Sequence, residues 1–308
     1  IKILINLSKK NRSAFRINEF KSLLKAAIYY LFSNNDPIYN GIYQKKFEEL
    51  FSDYLGGGFA RTVNSGTNAL FVAIKSLGIE KGSYIGLTPL IDPGVINSVI
   101  IAGYKPILLD IESKESLVLS LNELEKGINL GIKAIIVIHY YGFTSPVDKI
   151  KKICKKNNIK LIEDCSQCHS GKVVNKNVGT YGDVSIFSTM SRKSLITGAS
   201  GGIIFSNNKE IYNWINCFAD RGKNTFEKNI NLRLSSKNKE VSLNFNSNEF
   251  SSAIGIASLE RLNKCTKKRL FFANKIQNAI KENDFINTIQ FKEFDCPFII
   301  PLFADKKY

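Results

Sequence analysis

Acidic residues are scarce: 27 Asp and Glu stand against 43 Lys and Arg over 308 residues, a formal net charge of +16. Such an excess would suit a nucleic-acid or anionic-membrane partner. The lysines, however, are spread through the whole chain among many Asn and Ile residues, so biased residue usage accounts for the charge and no nucleic-acid partner is expected. The positive field would still favour a substrate carrying a diphosphate. No run of about twenty apolar residues occurs, so no membrane insertion is expected. The opening Ile1 to Lys10 is too short for a secretion signal with its cleavage site, which makes the cytoplasm the expected location. There are only two histidines, one methionine and six cysteines. Cys165-Ser166-Gln167-Cys168-His169 does match the C-x-x-C-H spacing of haem attachment, and also a thiol redox pair. Haem attachment requires export, and Met190 is the sole methionine to serve as an axial ligand. Zinc needs four ligands, whereas Cys154, Cys217, Cys265 and Cys296 stand singly. No metal is expected, and the cysteines read as small buried residues in a reducing compartment.

What the chain does contain is apolar content sufficient for a substantial core, 44% hydrophobic residues. Strand and helix patterns alternate as in an α/β fold. Strands are expected at Phe59 to Val63, Tyr84 to Thr88, Pro106 to Asp110, Ala134 to His139, Ile159 to Asp164, Asp183 to Ser188 and Gly202 to Ser206, mostly parallel. Helices are expected at Glu19 to Phe32, Tyr43 to Tyr54, from Leu70, at Pro93 to Ala102, Leu119 to Gly127 and Pro146 to Asn157, with one long helix from Ser247 to Glu282. Gly56-Gly57-Gly58 reads as a turn, and Asn224 to Glu240 as a mobile polar loop.

Three segments carry chemistry. Lys193 stands five residues after Ser188, at the end of an apolar strand and just before Gly198-Ala199-Ser200-Gly201-Gly202. An exposed Ser, a turn, a Lys and glycine-rich backbone could hold a phosphate and present an amine to a carbonyl, the chemistry of pyridoxal phosphate (PLP). By itself, a lysine in a turn is ordinarily a solvated surface residue. Asp164 ends the strand Ile159 to Asp164, with Gln167 three residues on; ligands in open α/β sheets sit beyond the carboxyl ends of strands. An Asp there could keep a pyridinium nitrogen protonated, although strand-end Asp residues also serve as turn or helix caps. Ser65-Gly66-Thr67 opens a helix after a strand and offers N–H groups, hydroxyls and the positive helix end to an anion, or simple N-capping.

Together and in this order, these segments resemble the DegT/DnrJ/EryC1/StrS family of PLP-dependent sugar aminotransferases, from about Asp36 onward. The resemblance implies a fold-type I transferase: a mostly parallel seven-stranded sheet flanked by helices, with an incomplete small C-terminal domain. It implies that Ser65, Gly66, Thr67 and Ser188 bind the cofactor phosphate, Asp164 the pyridine nitrogen and Gln167 the ring oxygen. Lys193 is then the lysine that carries PLP and shuttles the proton. Asn244, in Asn244-Phe245-Asn246-Ser247, matches the Asn that reaches a neighbouring subunit's phosphate, so a homodimer with shared active sites is expected. The implied reaction moves an amino group from an amino acid, glutamate by family analogy, to a keto sugar on a nucleotide diphosphate. Such sugars serve surface polysaccharides or secondary metabolites.

Three departures bear on the substrate and the reaction. The family's ring-stacking aromatic falls on Asp92, which could cap the following helix or face the ring; Ala199-Ser200 replace a usual Glu in a glycine motif one residue longer; and Asn246 replaces a usual Arg. Another PLP-dependent sugar reaction, or an inactive binding homologue, is the alternative. His139 is expected to be structural or to border the pocket, and His169 to line it. The expected division is a PLP-binding domain over 1–250 and, over 251–308, a long helix and the start of a small domain that reads as truncated.

Overall fold

The computed structural model describes residues 16–38, 41–224, 239–281, 283 and 285–304. Most of the expected loop Asn224 to Glu240 lies outside the described residues. Helices α1 (Ile17–Phe32) and α2 (Ile42–Leu55) precede strand β1 (Phe59–Val63) and helix α3 (Gly66–Ser76). Then follow β2 (Tyr84–Leu87), α4 (Pro93–Ile101), β3 (Lys105–Leu108), a hairpin of β4 (Ile111–Ser113) and β5 (Ser116–Leu119), α5 (Leu121–Asn129) and β6 (Ile132–Ile138). After a 3-10 turn at Tyr140–Gly142 come α6 (Val147–Lys156), β7 (Lys160–Asp164), the short strands β8 (Lys172–Val173) and β9 (Lys176–Asn177), β10 (Val184–Ser188), β11 (Gly202–Ser206) and α7 (Lys209–Ala219). Helices α8 (Glu249–Glu260) and α9 (Leu262–Ile280) lead to a last pair, β12 (Ile286–Thr288) and β13 (Leu302–Ala304).

Seven strands form one sheet in the order β1-β11-β10-β7-β6-β2-β3. Only β11 runs antiparallel to its neighbours β1 and β10. The central strands are apolar nearly throughout because helices cover both faces. Ile136, Ile162, Ile186 and Ile204 pack with α3, α4 and α7 on one side. Their alternates face the other way: Phe187 and Ile203 meet Phe47 and Phe51 of α2, while Ile135, Val137 and Leu161 meet Ile150 of α6. This is a three-layer α/β/α arrangement, and each expected strand is present within two residues of its expected ends.

Two expectations need correction. The helix expected at Leu119 to Gly127 begins only at Leu121, since Ser116–Leu119 pairs with β4 instead. The long helix expected from Ser247 to Glu282 is two helices that meet at Arg261, with φ −99° and ψ −4°. There the Arg261 guanidinium donates to Glu19, a buried carboxylate in the first turn of α1.

Helix α2 has no side-chain cap of its own at Gly41. Its cap comes from Glu249 of α8, whose carboxylate accepts hydrogen bonds from the N–H groups of Tyr43 (2.7 Å) and Gln44 (2.9 Å) and from the Tyr30 hydroxyl (2.6 Å). A negative charge at a helix N-terminus is favourable, and this one is buried and multiply bonded. Glu249→Ala should lower stability by about 3 kcal/mol, as three half-buried donors lose a buried, charged acceptor. Glu249→Gln should lose roughly half of that, as one carbonyl oxygen still accepts. Urea unfolding of both variants checks this; a Glu249→Ala loss below about 0.5 kcal/mol would make the cap dispensable.

Candidate active site

The sheet's register assembles the site. Ile138 of β6 pairs with Asp164 of β7, and Asp164 with Ile186 of β10, giving a row across three parallel carboxyl ends. Because β11 runs the other way, its first residue, Gly202, pairs with Val63 at the end of β1 and with Ser188 at the end of β10. The Ser65-Gly66-Thr67 turn and Ser188 therefore arrive at the same edge as Asp164. A cavity of about 330 Å³ opens there, bordered by Ser65, Gly66, Thr67, Asp92, Asp164, Gln167, Ser188 and Lys193. A larger cavity of about 830 Å³, between the β4–β5 hairpin and the C-terminal segment, contains none of these residues.

The packing around the phosphate-type turn is tight. A Cβ on Gly66 would lie 2.6 Å from Ser188 Cβ, and one on Gly202 would lie 2.4 Å from the Ser65 carbonyl oxygen. Ser65 caps α3 by accepting from Asn68 N–H at 3.1 Å. The first-turn N–H groups of Gly66 and Thr67 have no acceptor within the helix, since the first turn of any α-helix leaves its donors free. The Lys193 turn is held on several sides. Lys193 N–H donates to Met190 O at 2.9 Å, Arg269 of α9 donates to Ser194 Oγ at 2.7 Å, and Ile196 N–H donates to Ser258 Oγ at 3.0 Å. Burial lowers the Lys193 pKa, against the pull of the Asp164 and Asp92 charges. Its Nζ sits 4.7 Å from the centre of the Phe298 ring.

Asp164 is 5% exposed, and Oδ1 accepts from Ser166 N–H at 2.9 Å. Burial raises its pKa, opposed by the Ser166 hydrogen bond and by the Lys193 charge. Such a carboxyl is stabilised in its charged form by a cation brought into the cavity. Gln167 Oε1 accepts from Tyr141 N–H at 2.7 Å, which leaves its amide NH₂ as the group free to donate.

A model of the DegT/DnrJ/EryC1/StrS aminotransferase family matches residues 25–297. The chain belongs to that family. It is 32% identical over 229 residues to the GDP-perosamine synthase of Vibrio cholerae, covering 74% of this chain and 60% of that protein. It is 31% identical over 253 residues to a Campylobacter jejuni UDP-4-amino-4,6-dideoxy-N-acetyl-beta-L-altrosamine transaminase, covering 81% and 65%. Among solved structures it resembles Helicobacter pylori PseC, an aminotransferase involved in the biosynthesis of pseudoaminic acid, with a TM-score of 0.84 and 25% identity. That match covers 96% of this chain and 77% of PseC. The chain spans about three fifths of the length of the two curated relatives.

The family's aminotransferases depend on PLP, and the cavity's donor set fits that group. Helix-end N–H groups with Thr67 and Ser188 suit a phosphate, a buried carboxylate suits a ring N–H, a free amide NH₂ suits a ring oxygen, and a lysine amine suits an aldehyde. The close approach at Gly66 and Gly202 leaves no room for side chains that would push this set apart. Asp92 takes the expected capping role. Its Oδ1 caps α4 by accepting from Gly94 N–H at 2.8 Å, while the residue also borders the cavity. Asn244 does not join the cavity in the single chain; it is exposed, and its Oδ1 accepts from Asn246 N–H at 3.1 Å. Asn246, in the place of the usual Arg, accepts from Arg61.

Sequence reasoning assigned no site role to Tyr140, Ile138, Ser166 or Met190, which also border the cavity. The signal available for Tyr140 was its place just past a strand's carboxyl end. His139 is a buried strut: its Nδ1 accepts from Ser145 N–H at 3.1 Å, so the Nε2–H donates to Glu163 at 3.2 Å. Glu163 also accepts from the N–H groups of Gly179, Tyr181 and Gly182, which occupies both of its oxygens. The nearby Cys165 thiol, like that of Cys168, is pushed well up by burial and is chemically quiet.

His169 borders Phe187 beneath the site and donates from Nε2 to Ser188 O at 2.8 Å. Its Nδ1 is buried without a partner, and burial pulls its pKa down to about 3 from 6.5. Below pH 6.5 the unfolded chain binds a proton here that the folded chain refuses, so stability falls as pH falls from 6.5 towards 3. The expected slope is roughly 1 kcal/mol per pH unit. Thermal melts of wild type and His169→Asn at pH 7.5, 5.5 and 4.5 check it. The wild type should lose stability faster on acidification, and parallel losses would contradict the assignment.

Proposed function

We propose that this chain is the PLP-binding portion of a nucleotide-sugar aminotransferase. It would transfer the amino group of an amino acid, glutamate by analogy, to the carbonyl carbon of a keto sugar held on a nucleoside diphosphate. The products are the corresponding keto acid and the amino sugar. The observation that carries this reading is the convergence of Ser65, Gly66, Thr67, Asp164, Gln167, Ser188 and Lys193 on one cavity from three separate stretches of chain. GDP- and UDP-linked sugars occur in the names of the two curated relatives, so the nucleotide diphosphate class is supported while the base stays open.

When bound, PLP supplies an aldehyde for the amine and a ring that accepts electrons. The α3 N-terminus, Thr67 and Ser188 would hold the phosphate. Asp164 would hold the proton on the ring nitrogen by accepting its hydrogen bond, and Gln167 would donate to the ring oxygen. Lys193 Nζ, with a pKa lowered by burial, is a suitable base to take the proton from the α-carbon of the amino donor and deliver it onward. Asn244 would anchor a phosphate across a subunit boundary, making the active unit a homodimer. Incubation with PLP, glutamate and GDP- or UDP-linked keto sugars should release 2-oxoglutarate and an amino sugar in equal amounts. Failure with every glutamate and keto-sugar pair by protein that holds PLP would favour another PLP reaction.

A further inference from the structure

Asp92 stands where the family carries a ring-stacking aromatic residue, and one of its oxygens caps α4. Among the described residues that border the cavity, Tyr140 is the only aromatic one. Its ring lies on that of Tyr141, with centroids 4.0 Å apart and planes 24° apart. Tyr141 itself has φ +53° and ψ 8°, a left-handed conformation that aromatic residues seldom adopt. The surroundings enforce it. Tyr141 N–H donates to Gln167 Oε1 at 2.7 Å, and its carbonyl accepts from Phe298 N–H at 2.9 Å. Phe143 N–H donates to Tyr140 O at 2.9 Å, and Cys296 N–H to Gly142 O at 2.9 Å. Gly142, at φ +95°, lies so close to the C-terminal segment that a Cβ would stand 1.9 Å from Cys296 O. Backbone strain persists where neighbours over-determine it, and it concentrates at ligand clamps.

We propose that Tyr140 supplies the aromatic wall against the PLP ring that Asp92 cannot supply, so that this chain has moved its ring contact from the start of α4 to the end of β6. This rests on the reading of the cavity as a PLP site. The strained Tyr141 turn is the device that aims it: one clamp, Gln167, is itself a cavity residue, and the other, Phe298, carries the ring beside Lys193 Nζ. Burial first, then the contact with Tyr141, raises the Tyr140 phenol to about 12. It stays neutral and acts as a ring with a hydroxyl, and the ring is the part that matters.

The test is the affinity of the apoprotein for PLP, measured by absorbance titration and equilibrium dialysis without substrate, with apoprotein melts as the folding control. Tyr140→Leu keeps apolar bulk and removes the ring; it should weaken PLP binding about tenfold. Tyr140→Phe should stay within about twofold of wild type, and adding Asp92→Phe to the Leu variant should restore most of the loss. Tyr140→Leu binding as tightly as wild type with an unchanged apoprotein melt would overturn the proposal, and so would Tyr140→Phe binding as weakly as Tyr140→Leu. A wild-type protein that binds no PLP at all would instead sink the functional reading beneath it, a separate and recognisable result.

Discussion

Lys193→Ala should release 2-oxoglutarate from glutamate roughly 10⁴-fold more slowly than wild type, the upper end of what a positioned proton-transfer group contributes. The site puts this residue in a position no other amine shares among the described residues bordering the cavity. Its neighbours are two carboxylates, Asp164 and Asp92, that act on its charge, and burial makes the neutral amine easier to reach. The turn that carries it is fixed from Met190, from α8 and from α9, so the substitution removes a functional group and leaves the turn's bonds in place. Single-turnover release with PLP-saturated protein is the measurement. A loss smaller than tenfold, with an unchanged thermal melt, would remove Lys193 from the chemistry.

Asp164→Asn should slow the same half-reaction by about 10³-fold, about 4 kcal/mol in activation free energy, while weakening PLP binding by less than about tenfold. Asn has the same shape, and its carbonyl oxygen can still accept from Ser166 N–H. What it lacks is the negative charge that holds a proton on a ring nitrogen, and in a buried position that charge is poorly replaced by solvent. The residues proposed to hold the phosphate lie elsewhere, at α3 and Ser188, so retention should suffer little. Rate and occupancy should be read on the same preparation. Equal losses in both would make Asp164 a scaffold residue.

Much of this was legible in the sequence, for reasons that differ by element. The central strands announced themselves because helices bury both of their faces, turning Ile132–Ile138 and Gly202–Ser206 into nearly unbroken apolar runs. That Lys193, Asp164 and the Ser65 turn border one cavity was legible because each lies at or just past a strand's carboxyl end or at a helix start, where ligands of open α/β sheets sit. The two-residue strands Lys172–Val173 and Lys176–Asn177 are too short to show any period. Strand Ser116–Leu119 went unseen because it is only four residues long, and its last residue, Leu119, reads as the start of the amphipathic Leu121–Asn129. Non-local devices left no trace: the cap of α2 is Glu249, 206 residues from Tyr43, and the break between α8 and α9 falls at Arg261, which pairs with Glu19. The aim of the Tyr140 ring also depends on distant backbone, the Phe298 and Cys296 N–H groups, so no window around Tyr140 could reveal it.

The central claim is tested most directly by trapping the cofactor where it binds. Protein saturated with PLP is reduced with borohydride, digested and mapped by mass. The geometry predicts one modified peptide, carrying the reduced cofactor on Lys193; modification of a different lysine, or of none in saturated protein, would contradict the assignment of this cavity as a PLP site.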